Sequence, residues 1–167
     1  MPDKATIRRA RRDKRQGKSA STQAGEFVRE EFHHIREGKH GARSTEQAIA
    51  IGLSKARRAG VRMKPPPPGT ASAETREAAA HDYHEGQKHT KHRPSPRRSR
   101  ASRQELQHEG HAAGTSREIA AHSRRAAKRR SPAARRKSAL QAAHSRTHEE
   151  RSRSARKGAR TRLARSR

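Results

Sequence analysis

Arginine comes in adjacent pairs along this chain: Arg8-Arg9, Arg11-Arg12, Arg57-Arg58, Arg97-Arg98, Arg124-Arg125, Arg129-Arg130 and Arg135-Arg136. A guanidinium is a planar, permanently charged fork of donors that matches a phosphate, or the guanine edge, two bonds at a time. A lysine offers only a point charge. Of 43 basic residues 32 are arginine, set against 16 acids. The chemistry such pairs perform is the neutralisation of a polyanion, and at a net charge of +27 and a pI near 11.9 that polyanion is first of all nucleic acid. These arginines are the candidate contacts.

Two of the pairs belong to a wider pattern. Ser95-Pro96-Arg97-Arg98, and more loosely Ser131-Pro132 with Arg135, Arg136 and Lys137, resemble the Ser-Pro-basic-basic units of linker-histone tails. A turn at Ser-Pro would present two arginines to a narrow, electronegative minor groove. Histidine is the other chemistry-bearing type. His81, His84, His89 and His92, with Glu85 among them, share a broad face if the segment is helical, and imidazole ligates transition metals. Gly86 interrupts that segment and no second shell is visible to hold the rings, so no metal is expected there. His33 and His34 read as the rim of a helix. The chain has no Cys, no HExxH and no Gly-rich phosphate loop followed by Lys. Thiol chemistry and cysteine zinc sites are excluded, and neither an enzyme nor a cofactor is expected.

The elements that must position these residues have little to work with. Hydrophobic residues make up 27% of the sequence and aromatics 2%. Low apolar content with high charge marks a chain that cannot repay its ordering entropy. The expectation is a mostly α, largely disordered protein. No apolar run reaches the roughly 18–20 residues that cross a bilayer, and the basic N-terminus lacks the apolar stretch of a signal peptide.

Charge divides the chain. Residues 1–64 carry 17 bases and 7 acids, residues 65–90 carry 2 and 4, and residues 91–167 carry 24 and 5. The expected organisation is a basic arm (1–20), a helical hairpin (21–64), a Pro-rich linker (65–90) opened by Pro65 to Pro68, and an Arg/Ser/Ala-rich tail (91–167). The arm, with Ile7 as its large apolar residue, should become helical mainly when phosphates neutralise it.

The hairpin pairs helices at about 21–37 and 45–59. In the first, Phe27, Val28, Phe32 and Ile35 fall on or near one face, Ser21 or Thr22 caps the start, and Gly38 ends it. In the second, Ser44-Thr45-Glu46-Gln47 matches the capping box, Ile49, Gly52, Leu53 and Ala56 form the inward stripe, and Gly60 is the stop. Gly52 costs about 1 kcal/mol of helix stability, which a close helix–helix approach would justify. The core or interaction residues expected are Phe27, Phe32, Ile35, Ile49 and Leu53. So small a hairpin should be marginal alone and helped by a homodimer partner or by nucleic acid.

"EGKHGARSTEQAIA" (37–50) has an imperfect echo in "EGHAAGTSREIAAHS" (109–123). Residues 115–130 and 132–148 read as Ala/Arg segments that become helical on binding. Residues 22–61 resemble a family of small, basic bacterial proteins with a domain of unknown function, marked by a helix ending in "EFxxIREGKHG" followed by "S-x-x-QAIAI-x-LS-x-A". Here the stretch stands as "EFVREEFHHIREGKHGARSTEQAIAIGLSKARRAG". Family members are often labelled plasmid stabilization or DNA-binding proteins. The resemblance implies a bacterial, nucleoid- or plasmid-associated cytoplasmic setting, without a mechanism and without a binding residue to carry over.

The function these features lead to is a non-enzymatic accessory protein that binds nucleic acid, double-stranded DNA before RNA, by counterion release with little sequence preference. Two alternatives compete. In one the hairpin's apolar face captures a protein, as an adaptor or antitoxin-like module. In the other the chain is a disordered, stress-protective polycation.

Overall fold

The computed structural model describes residues 2–88, 95–144 and 147–165. Among these it holds eight α-helices and is 76% helical. The expectation of a largely disordered chain is therefore overturned. The helices are α1 (Lys4–Arg15), α2 (Ala20–Arg36), α3 (Thr45–Arg58), α4 (Ala73–Gln87), α5 (Pro96–His108), α6 (Ser116–Arg129), α7 (Pro132–His144) and α8 (His148–Arg165), with a 3-10 turn at Ala112–Gly114 before α6. They fall into two compact units, Met1–His122 and Ser123–Arg167.

The hairpin forms as α2 and α3. Ser19, rather than Ser21 or Thr22, caps α2, accepting from Thr22 N. Ser44 caps α3 by accepting from Gln47 N at 3.1 Å. The Gln47 side chain reaches back one residue further than the usual box, taking the Arg43 N–H at 2.6 Å. Gly38 (φ 73°) and Gly60 (φ 87°) follow the two helices in the left-handed conformation.

The inward line of α3 is rotated from the expected one. Ala48, Gly52 and Ala56 are buried at i, i+4, i+8, while Ile49 and Leu53 lie half-buried beside them. A Cβ on Gly52 would stand 2.7 Å from Val28 Cα. The helices therefore meet backbone to backbone, and small residues fill the seam that large ones were expected to fill. Phe27 and Ile35 are fully buried and Phe32 nearly so.

Two apolar clusters flank this seam. Ala10, Ala24, Phe27, Ala56 and Val61 form one, covered by Ile7, Ala20, Leu53 and Met63. Phe32, Ile35, Ala42, Ala48 and Ala113 form the other, with Val28, Ile49 and Ile119 against it. The contributors from outside the hairpin explain why counting the hairpin's own large residues underrated the core.

α1 is helical without phosphate because it has an inward face after all. Thr6, Ala10 and Asp13 are buried, Asp13 takes the Lys18 ammonium at 2.8 Å, and Arg9 Nε binds Glu26 at 2.6 Å. The stretch expected to be only a linker holds α4. Its Asp82 accepts from Ser54 Oγ and Arg58 Nε of α3, both at 2.6 Å. Gly86 serves the same contact: a Cβ there would meet the Arg57 carbonyl oxygen at 1.8 Å.

The echoed segments lie against each other. Gly41 N donates to Leu106 O at 2.7 Å, Ala42 N to Gly110 O at 3.0 Å, and Thr45 Oγ1 to Ala113 O at 3.1 Å. Three hydrogen bonds thus tie the loop before α3 and the first residue of α3 to the end of α5 and the segment before α6. Both Ser-Pro pairs start helices instead of forming free turns. Pro96 and Pro132 open α5 and α7, where a fixed φ and a missing N–H are harmless, and Ser131 Oγ accepts from Ala134 N at 3.2 Å.

In the second unit α7 buries no residue, and Leu140 and Leu163 stand 55% and 67% exposed. Segments expected to order only on binding are thus helical here, supported by local terms such as the Arg153–Glu149 pair at 3.1 Å.

Candidate nucleic-acid interface and a buried acidic cluster

The fold sorts its charges. Asp13, Glu26, Glu30, Glu31 and Asp82 are buried, and Arg57 is the single base buried with them among the described residues. Burying an ionised carboxylate is tolerable only with a partner. Lys18 serves Asp13, Arg9 and Arg29 serve Glu26, Lys55 serves Glu31, and Arg58 serves Asp82.

The expected contacts divide accordingly. Arg8, Arg11 and Arg12 are exposed on α1 and make no ion pair or side-chain hydrogen bond among the described residues. Arg8, Arg9, Arg12 and Arg15 line one shallow concavity with Ala5. Arg9 is half-buried there, held by Glu26 and by Thr6 Oγ1 at 2.8 Å. α1 is about 18 Å long at 1.5 Å per residue, so its free arginines form a compact cationic stripe.

Arg57 does not belong to that surface. It is 6% exposed, and its Nε donates to the Met63 carbonyl at 3.3 Å. Burial lowers its guanidinium pKa from the ordinary value, and the nearby charge of Asp82 opposes the shift. Arg58 points outward but is paired with Asp82.

Arg97 and Arg98 are exposed in the first turns of α5. Arg124, Arg125 and Arg129 are exposed on α6, Arg130 just after it, and Arg135 and Arg136 on α7. Arg130 donates to Ser138 Oγ at 2.6 Å, and Arg136 lines a concavity with Pro132, Ala133, Lys137 and Leu140.

The histidines singled out in the sequence do not form a described cluster. His81 and His84 are exposed on α4, and His89 and His92 lie outside the described residues. Other residues converge instead. Glu31 is fully buried; His40 Nε2 lies 3.6 Å from its Oε2 and His34 Nδ1 4.0 Å from its Oε1. Lys55 Nζ donates to the same Oε1. On the far side of His34, Nε2 lies 3.6 Å from Asp3 Oδ2, and Asp3 N donates to Glu30 Oε1 at 3.1 Å. The His34 and His40 rings meet edge to face at 5.8 Å.

Glu31, His34 and His40 each bring a ligand atom within 4.8 Å of the others, as do Asp3, Glu30 and His34. Sequence reasoning missed this group because its members come from the residue before α1, from α2 and from the turn after it. The available signal was Glu31 and His34 one turn apart with His40 just past the helix stop.

No family model, curated protein or solved structure matches this chain. The resemblance of residues 22–61 therefore rests on its own motif residues.

Proposed function

We propose that the protein is a non-enzymatic nucleic-acid-binding accessory protein, that its ligand is double-stranded DNA, and that its setting is bacterial and nucleoid- or plasmid-associated. The observation that carries this reading is the sorting of charge around α1 and the hairpin, where Asp13, Glu26, Glu30, Glu31 and Asp82 are buried while Arg8, Arg11 and Arg12 are exposed. A phosphate approaching Arg8, Arg11 or Arg12 has no carboxylate to displace. Binding is driven by release of condensed counterions and reads little sequence, because the exposed arginines sit on or beside short helices and reach phosphate before base edges. No helix among the described residues is long and apolar enough to cross a membrane.

No observation favours the adaptor reading. The hairpin's apolar face, which a protein partner or a homodimer would use, is covered by Ile7 and Ala10 of α1 and by Ala113 and Ile119. The disordered-polycation reading loses its premise with the helical fold.

The test is the salt dependence of duplex binding by the full chain. Of the fourteen arginines first considered, Arg57 is buried and Arg9 and Arg58 are paired with acids. If about ten cations engage phosphate, log K falls against log salt with a slope near −9. Arg8→Gln, Arg11→Gln and Arg12→Gln together should make the slope shallower by about 3. A full-chain slope shallower than about −3 would sink the proposal.

A further inference from the structure

We propose that Glu31, His34 and His40 form a binding site for one divalent transition cation of the zinc class. The case begins with the tautomer of His40. Its Nδ1 lies 3.0 Å from the Gly41 carbonyl oxygen, which can only accept, so Nδ1 carries a proton. In the neutral ring this tautomer turns the lone pair of Nε2 toward Glu31 Oε2, 3.6 Å away. That oxygen is buried and has no hydrogen-bond partner among the described residues. Two acceptors facing each other across a gap too long for a hydrogen bond call for a cation between them.

The gap has the right size. Zinc bonds of about 2.0–2.2 Å to nitrogen and carboxylate oxygen, at a tetrahedral angle, put neighbouring ligand atoms about 3.3–3.5 Å apart. His40 Nε2 lies 3.6 Å from Glu31 Oε2 and His34 Nδ1 4.0 Å from Glu31 Oε1, so closure needs shifts of about half an ångström. The Nδ1 bond to Gly41 is the outer-shell contact that metal-ligating histidines regularly make, fixing ring orientation and raising ligand basicity.

Charge agrees. Glu30 Oε2 is a second buried oxygen without a partner, in a residue 4% exposed. Asp3, Glu30 and Glu31 are three carboxylates, and Lys55 is bonded to Glu31 alone. Lys39 also acts on Asp3 and Glu30 by its charge, but its ammonium is 2.9 Å from Glu37. In a chain of net charge +27, this pocket remains locally anionic. Two imidazoles with carboxylates suit zinc, cobalt or nickel, whereas magnesium and calcium want a fuller set of oxygens. A bound ion would join α2, through Glu31 and His34, to the turn that leads into α3, through His40.

The experiment uses the untagged full chain and zinc alone as probe. Titration by calorimetry and by the histidine ring resonances should show one saturable equivalent, with His34 and His40 shifting before the other ten histidines. His40→Gln and Glu31→Gln should each weaken that binding at least tenfold, while His81→Gln should leave it unchanged. Zinc should raise the melting temperature of the wild type and not of His40→Gln, a comparison that needs no unfolded variant to interpret. The proposal is overturned if zinc shifts the exposed histidines first. It is equally overturned if magnesium shifts the same rings, or if His40 is doubly protonated in neutral solution and zinc does not bind. None of these results bears on the salt slope of DNA binding, so the two proposals fail separately.

Discussion

A methyl group added at two helical glycines separates a backbone-contact core from an ordinary side-chain one. At Gly52 the new Cβ would lie 2.7 Å from Val28 Cα and 2.9 Å from both Val28 N and Val28 Cγ2. Two of these three atoms are backbone, so no rotamer change relieves the clash and α3 must back away from α2. Overpacking of this kind costs about 1–3 kcal/mol. Alanine returns about 1 kcal/mol in helix propensity. With backbone atoms on both sides the clash dominates, and Gly52→Ala should destabilise by about 1–2 kcal/mol. At roughly 2–4 °C per kcal/mol for a chain of this size, the melting temperature should drop by about 2–8 °C. Gly25 is the internal control. It lies in α2 with nothing within 4 Å of the Cβ it would gain, so Gly25→Ala should stabilise by about 0.5–1 kcal/mol. Thermal unfolding followed by far-UV circular dichroism measures both. The reasoning fails if Gly52→Ala melts at or above the wild type, whatever Gly25→Ala does.

Three further outcomes are expected. Arg57→Gln should lower the melting temperature while leaving the salt slope of DNA binding unchanged, because Arg57 is buried and bonded to Met63 O; a slope shallower by a full unit would place it on the binding surface instead. Asp82→Ala should free α4 from α3, read as loss of amide hydrogen-exchange protection in α4 ahead of α2. Its cost is about 1–2 kcal/mol, since Arg58 is 60% exposed and can rehydrate. Lys39→Ala should raise the Glu37 carboxyl toward its ordinary value of 4.5, because the Lys39 hydrogen bond and then its charge hold it down. The lowered folded value means this interaction helps above the unfolded-state pKa and fades as pH falls through the folded one. A carboxyl NMR titration of Glu37 unchanged by the substitution would refute that assignment.

The hairpin was legible in the sequence because its signals are local. Ser44 and Gln47 cap within one turn, Gly38 and Gly60 stop the helices, and Phe27, Phe32 and Ile35 recur at helical spacing. What surrounds the hairpin was not legible, for physical reasons that differ by element. α1 looked like a bare cationic arm because Thr6, Ala10 and Asp13 are small or polar and carry little hydrophobic signal, yet they are the residues it buries. α4 was hidden by the prolines before it and by Gly86, which reads as a helix breaker but is needed where the chain passes the Arg57 carbonyl. The rotation of α3 has the same origin. A stripe of Ala48, Gly52 and Ala56 ranks below Ile49 and Leu53 on any hydrophobic scale, but it lets two backbones approach.

The candidate site shows the opposite imbalance. Composition made the excess of base plain and concealed where the acids go. Pairing a buried acid removes one base along with it, so Asp13, Glu26 and Asp82 leave the net charge of +27 unaltered at a distance. The pairing changes the company of the remaining cations. Had those carboxylates stayed on the surface, each would compete with phosphate for a neighbouring guanidinium, and binding would have to break an ion pair as it formed one. Turned inward, Asp13 and Glu26 stabilise α1, which carries Arg8, Arg11 and Arg12, and leave those arginines open. Glu30 and Glu31 break the pattern, for each keeps a buried oxygen that no base reaches. In a chain with arginine and lysine to spare, a buried Glu31 oxygen left without a hydrogen bond beside two imidazoles is better explained by a cation from solution than by a shortage of bases.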